Sequence, residues 1–124
     1  MDERIKELAR NLVNYSMKVK KNEKVYISHK GEATVDLVRQ LVKEVYQVGG
    51  LPFVHYTDNR ILREILKNCT EEQMKLMAEI DSKEMSEMDC FIGVTGSDNV
   101  SELSDVPADK MKIYDQLYMT PVHH

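Results

Sequence analysis

The 124-residue chain has no tryptophan, two phenylalanines, two cysteines and no apolar run of membrane-spanning length. The shortage of aromatic side chains argues against a protein that stacks on nucleic-acid bases. The net charge of −4 argues against a general binder of phosphate backbones, because such binders depend on clustered Lys and Arg. We therefore expect neither nucleic acid nor a membrane as a partner.

The two cysteines, Cys69 and Cys90, lack the C-x-x-C spacing of redox or zinc motifs. The first ten residues, MDERIKELAR, are charged and amphipathic, unlike a secretory signal peptide. Both observations favour a cytoplasmic protein with reduced thiols.

Hydrophobic periodicity predicts five helices and three strands in the order α-β-α-β-α-α-β-α. Strands that are separated by helices pair in parallel through right-handed crossovers. We therefore predict a single α/β domain over residues 1–124. Its open, mainly parallel sheet should form a three-layer arrangement of Rossmann-like or flavodoxin-like kind, with the first strand in the middle.

Local signals predict several helix boundaries. Gly49 and Gly50 should stop the second helix, and Asp58 is a suitable N-cap for the third. The run Thr70-Glu71-Glu72-Gln73 reads as a capping box. Pro121 is expected to end the last helix.

Ligands of open parallel sheets bind in the crevice beyond the carboxyl ends of the strands. His29 and His55 lie near the ends of the first two predicted strands, and Ser97-Asp98-Asn99 follows the third. We expect these residues to line a cleft or to face another domain. Together they could bind a metal or move a proton; the alternative is that they are polar strand-end residues that face solvent or a neighbouring domain.

Established motifs for chemistry are missing from the sequence. It contains neither the dinucleotide-binding G-x-G-x-x-G nor the phosphate-binding G-K-[ST], and it has no G-x-S-x-G nucleophile elbow. From the residues alone, the chain is an α/β domain with no catalytic set of its own.

Four stretches of the chain together form a recognisable pattern. They are Asp2-Glu3-Arg4-Ile5 through Ser16, Gly49-Gly50-Leu51-Pro52-Phe53-Val54, Gly96-Ser97-Asp98-Asn99, and Glu102-Leu103-Ser104-Asp105-Val106-Pro107. This pattern resembles the amino-terminal region of the thermophilic-type metallo-aminopeptidases, the aminopeptidase T and aminopeptidase S group of leucyl aminopeptidases. The resemblance covers essentially the whole chain.

The resemblance implies an enzyme that removes amino-terminal residues from peptides with two divalent metal ions, such as zinc or cobalt, and an activated water. It also implies a homodimer about three times this length, whose metal ligands belong to a later, carboxy-terminal catalytic domain. The chain is then an amino-terminal fragment that is itself inactive and whose natural partner is its own catalytic domain. The alternatives are a free-standing α/β module that binds a small ligand and a module that binds another protein.

The resemblance also suggests a structural role for Glu102, Ser104, Asp105 and Pro107, as a helix-start motif. Ser104 or Asp105 would cap the last helix, and Pro107 would preset its first turn.

Overall fold

The protein is described by a computed structural model that covers residues 2–31, 34–96 and 103–123. Two π-helical turns, Leu12–Ser16 and Asp115–Met119, directly follow the first and fifth α-helices. In chain order, the helices and strands are α1 (Glu3–Asn11), β1 (Lys24–Lys30), α2 (Val35–Gln47), β2 (Leu51–Thr57), α3 (Asn59–Lys67), α4 (Glu71–Ser86), β3 (Cys90–Thr95), α5 (Ala108–Tyr114) and α6 (Thr120–His123).

The three strands form one parallel sheet in the order β2-β1-β3. This confirms the predicted α/β fold, with an open parallel sheet flanked by helices and with the first strand in the middle. The order 2-1-3 is the one with which flavodoxin-like sheets begin, whereas the Rossmann order would be 3-2-1.

The chain divides into two compact units, the first of which contains the sheet together with α1 and α2. Alternate residues of β1 are buried, as expected for a strand with one covered face. The apolar core of this unit is built from the helices and from that face of the sheet. Its buried members are Ala9, Val13, Val19, Val25, Ile27, Val38, Leu41, Val45, Cys90 and Ile92.

The predicted stop at Gly49 and Gly50 is confirmed, and the two glycines act differently. Gly49 has a φ of +86°, a conformation that side chains with a Cβ rarely adopt. Position 50 has no room for a side chain, because a Cβ there would lie 2.9 Å from the Cγ1 atoms of both Val19 and Val45.

The second unit contains α3, α4, α5 and α6. The predicted cap of α3 is confirmed, since the Asp58 carboxylate accepts a hydrogen bond from the Arg60 N–H. The capping box at Thr70 and Gln73 is also confirmed, with both reciprocal hydrogen bonds present. The buried core of this unit consists of Leu66, Cys69, Met74 and Val106.

The prediction that Pro121 ends the last helix is wrong. Helical structure continues through a π-helical turn into α6, which ends at His123. Pro121 is the second residue of this short helix. The fixed φ of proline is close to the helical value, so Pro121 can continue the segment, but it has no N–H and therefore cannot donate a helical hydrogen bond at this position.

Among the described residues, every helix is either too short or too polar to cross a bilayer.

Candidate functional site

The carboxyl ends of the strands come together as the sequence predicts. Lys30, near the end of β1, is in register with Thr57 on one side and Thr95 on the other. Two backbone hydrogen bonds continue the pairing just past the strands, from Gly31 N–H to the Thr57 carbonyl at 3.3 Å and from Gly96 N–H to the Lys30 carbonyl at 3.2 Å. The predicted cleft residues Ser97, Asp98 and Asn99 lie outside the described residues.

His29 is buried on the helix-covered face of the sheet, with 7% of its surface exposed. Its Nδ1 lies 2.7 Å from the Thr34 hydroxyl oxygen, and that hydroxyl donates to the Gly31 carbonyl at 2.7 Å. Because the hydroxyl proton is used on Gly31, Nδ1–H is the donor to Thr34 and Nε2 is the acceptor nitrogen of the neutral ring. Burial lowers the pKa of His29, which favours this neutral form. The alternative that His29 is a strand-end residue facing solvent is therefore wrong.

His55 lies on the opposite face of the sheet from His29. The residue in register with His29 is Tyr56, not His55, and strand side chains alternate between faces. The His55 ring stacks on Tyr26 with the ring centres 5.0 Å apart. The two imidazoles therefore cannot share one metal ion or one proton path.

A cavity of about 410 Å³ opens beside His29, between α2 and the edge strand β2. Four valines line it, three from α2 and one from β2 (Val35, Val38, Val42 and Val54). His29 and two basic residues of α2, Arg39 and Lys43, complete the lining. The volume is within the range of small-ligand pockets, and the mixture of apolar walls with a few polar groups is typical of them.

The cysteines are not arranged as nucleophiles. Burial, together with the carboxylates of Glu23 and Asp89, raises the pKa of the Cys90 thiol. Cys69 is fully buried in the core of the second unit. Both cysteines are buried, so they act as small apolar side chains.

The capping role suggested for Ser104 and Asp105 is wrong. The last helical segment begins at Ala108, its N-cap residue is Pro107, and no side chain caps its N-terminus. Pro107 therefore lies one position before the first helical turn that it was expected to occupy. Glu102 is not among the described residues.

Asp105 instead forms ion pairs with α3. Its two carboxylate oxygens accept hydrogen bonds from Arg63 Nε at 2.7 Å and Arg63 Nη2 at 2.6 Å, and Lys67 Nζ lies 3.3 Å away. These hydrogen bonds and charges lower the pKa of Asp105 well below its usual range. Sequence reasoning missed this contact, because Arg63 is 42 residues away and nothing in the local pattern marks the pair.

The described residues contain no group of three His, Cys, Asp or Glu side chains that could hold a metal ion. A dinuclear centre needs several convergent ligands of these types. The residues that the structure describes therefore do not fit such a centre.

Comparison with known proteins is consistent with the fold and identifies the family. Wild-type AmpT from Thermus thermophilus has a similar structure, with a TM-score of 0.74 and 23% sequence identity. The match covers 97% of this chain and 31% of AmpT, so the chain spans less than a third of that relative. At this identity the likeness shows the fold alone. No curated protein matches the chain.

A family profile described as thermophilic metalloprotease (M29) matches residues 1–121. Since the match extends over nearly the whole sequence, the chain belongs to the thermophilic metalloprotease (M29) family.

Proposed function

We propose that this chain is the amino-terminal accessory region of a metallo-aminopeptidase that removes amino-terminal residues from peptides. The observation that carries the proposal is the family match over residues 1–121, combined with a relative named as AmpT of which the chain covers 31%. The remaining length of such an enzyme is where the catalytic centre belongs.

The metal centre is proposed to lie outside this chain. In the intact enzyme, two divalent ions such as zinc or cobalt would supply an activated water for peptide hydrolysis. His29 and His55 do not contribute to it as a pair, because they lie on opposite faces of the sheet. The accessory region would instead form its own sheet. The segments at the carboxyl ends of its strands would shape access to the catalytic domain.

The proposal also concerns partners and location. The chain would pack against its own carboxy-terminal catalytic domain, the intact enzyme would act on peptides, and two copies would form a homodimer. The buried, unpaired Cys69 and Cys90 are compatible with a reducing cytoplasm.

The test is to isolate the natural protein with antibodies raised against this chain. We expect a polypeptide about three times the 14.4 kDa of the chain, since the chain covers 31% of AmpT. It should release leucine from leucyl peptides, and chelators should abolish the release because they remove the metal ions. A natural protein of only 14.4 kDa without aminopeptidase activity would overturn the proposal.

A further inference from the structure

The cavity beside His29 lies next to a strand that has a neighbour on one side only among the described residues. We call this feature the α2–β2 groove and define it by the four valines named above together with His29, Arg39 and Lys43. Its apolar floor follows from the spacing of Val35, Val38 and Val42, which lie on one face of α2. The rim of the groove carries two cations, Arg39 and Lys43, one helical turn apart.

The backbone of β2 offers hydrogen-bonding groups along this groove. In a parallel pair, alternate residues direct their N–H and C=O groups to the same neighbour. The Leu51 N–H and the Thr57 carbonyl both bond to the chain of β1 or its extensions. Residues of the opposite parity, Pro52 and Val54, therefore direct their backbone groups away from β1. Pro52 has no N–H to offer there, but its carbonyl and both backbone groups of Val54 point to the open edge.

The charge at the groove favours an anionic partner. Arg39 and Lys43 are both exposed, and within the described part of the chain Arg39 forms a long, 3.9 Å ion pair with Asp36, whose side chain is 65% exposed. A solvated pair of this kind is weak and leaves the guanidinium able to bind a second carboxylate.

We propose that the α2–β2 groove binds the carboxyl-terminal end of an extended peptide. The peptide adds to the open edge of β2 as a further strand, so that its backbone pairs with Val54. The apolar side chain of its last residue fills the cavity, and its terminal carboxylate binds Arg39 and Lys43. A terminal residue suits the site because its side chain and its carboxylate leave the same Cα atom and can reach an apolar floor and an adjacent cationic rim together.

In this mode of recognition, the backbone and the side chains of the peptide have different roles. Strand addition supplies main-chain hydrogen bonds, and alternate side chains supply specificity through pockets. A free amino acid carries the side chain and the carboxylate but has no preceding backbone to pair with Val54. The site uses residues other than those of the proposed hydrolysis, so it can exist whether or not the chain belongs to an aminopeptidase.

The test uses four ligands and the 124-residue chain. They are acetyl-Ala-Val-Ala-Leu with a free carboxylate, the same peptide as its amide, acetyl-Ala-Val-Ala-Gly with a free carboxylate, and free leucine. Affinities come from calorimetric titration, and the amide resonance of Val54 reports strand addition. The Leu carboxylate peptide should bind about fivefold tighter than its amide, as expected from about 1 kcal/mol for a partly exposed ion pair. The Gly peptide and free leucine should bind more weakly still.

A charge variant and a matched control test the rim. Arg39→Gln with Lys43→Gln should remove the difference between the carboxylate and amide peptides. Arg4→Gln with Lys6→Gln makes the same charge change on α1 and should leave the difference intact.

Several results would overturn the proposal. These are equal binding of carboxylate and amide peptides, free leucine that binds as tightly as the peptide, or titration without a shift of the Val54 resonance. Self-association that occupies the groove would also overturn it, and would appear as a Val54 resonance that depends on protein concentration and not on peptide.

Discussion

His29 shows at the residue scale how burial decides the chemistry of a side chain. It is neutral, its tautomer is set by Thr34, and it packs near Tyr56 with ring centres 4.8 Å apart. The residue type alone does not predict that His29 is buried. The alternation of Val25, Ile27 and His29 along β1 predicts it, because residues two apart share a face of the sheet.

The buried His29 predicts a pH dependence of stability. Its pKa is lowered in the folded protein, so the unfolded chain binds more protons as the pH falls through the ordinary range of histidine. The contribution to stability is therefore present above the ordinary pKa of histidine, about 6.5, and is lost as the pH falls below it. His29→Asn removes this titrating group, so the urea midpoint of the variant should depend less on pH below about pH 7. Identical pH profiles for the wild type and His29→Asn would contradict this assignment.

Gly50 and Gly93 predict opposite responses to the same substitution. Gly50→Ala forces a Cβ to within 2.9 Å of two buried valine methyl groups, so it should cost about 1–3 kcal/mol of unfolding free energy. A Cβ at Gly93 meets nothing nearer than the Ser28 hydroxyl oxygen at 3.8 Å. Gly93→Ala should therefore be neutral or slightly stabilising. Denaturant melts of both variants measure the difference, and equal costs would show that the space around Gly50 is not limiting.

At the scale of elements, short sequence patterns predict some helix ends and miss others. Thr70 and Gln73 form their capping box as predicted, because all the groups involved lie within four residues. The start of α5 follows no such pattern. Asp105, which precedes α5, accepts hydrogen bonds from Arg63 of α3 and does not cap α5.

The capping box predicts a measurable loss on truncation. Thr70→Ala removes the oxygen that accepts from the Gln73 N–H at 3.1 Å, and it should lower the free energy of unfolding by about 1 kcal/mol. Thr70→Ser keeps the hydroxyl and should restore most of it. Urea melts of the three proteins give the comparison. A serine variant as unstable as the alanine variant would mean that the threonine methyl, not the hydroxyl, is what matters.

The ion pairs of Asp105 predict acid sensitivity of the second unit. The pKa of Asp105 is lowered by Arg63 and Lys67, so its contribution is complete at neutral pH and declines as the pH falls below about 4. Asp105→Asn should lower the urea midpoint at pH 7, and the gap from the wild type should narrow on acidification. Since the pairs are exposed, the loss should be smaller than for Leu66→Ala in the fully buried core. A gap that widens on acidification would contradict the pairing.

At the scale of the whole molecule, periodicity predicts the element order, the parallel sheet and the central place of β1. These follow from rules that act within one element or between consecutive elements. The α2–β2 groove could not be predicted from such rules, because Val54 lies 11 or more residues from the α2 residues with which it forms the cavity. The prediction of a single domain over residues 1–124 remains a prediction, and the two units of the chain are each compact in themselves.

The central claim is that this chain is an accessory region whose enzyme keeps its metal centre elsewhere. The most direct measurement is the metal content of the purified chain after dialysis against zinc, cobalt or manganese, followed by leucine release from leucyl peptides with each ion. AmpT from Thermus thermophilus, the structural relative, serves as the parallel sample. The account predicts no stoichiometric metal and no release by the chain, because the described residues bring no three metal-binding groups together. Metal-dependent release of leucine by the pure chain would contradict it.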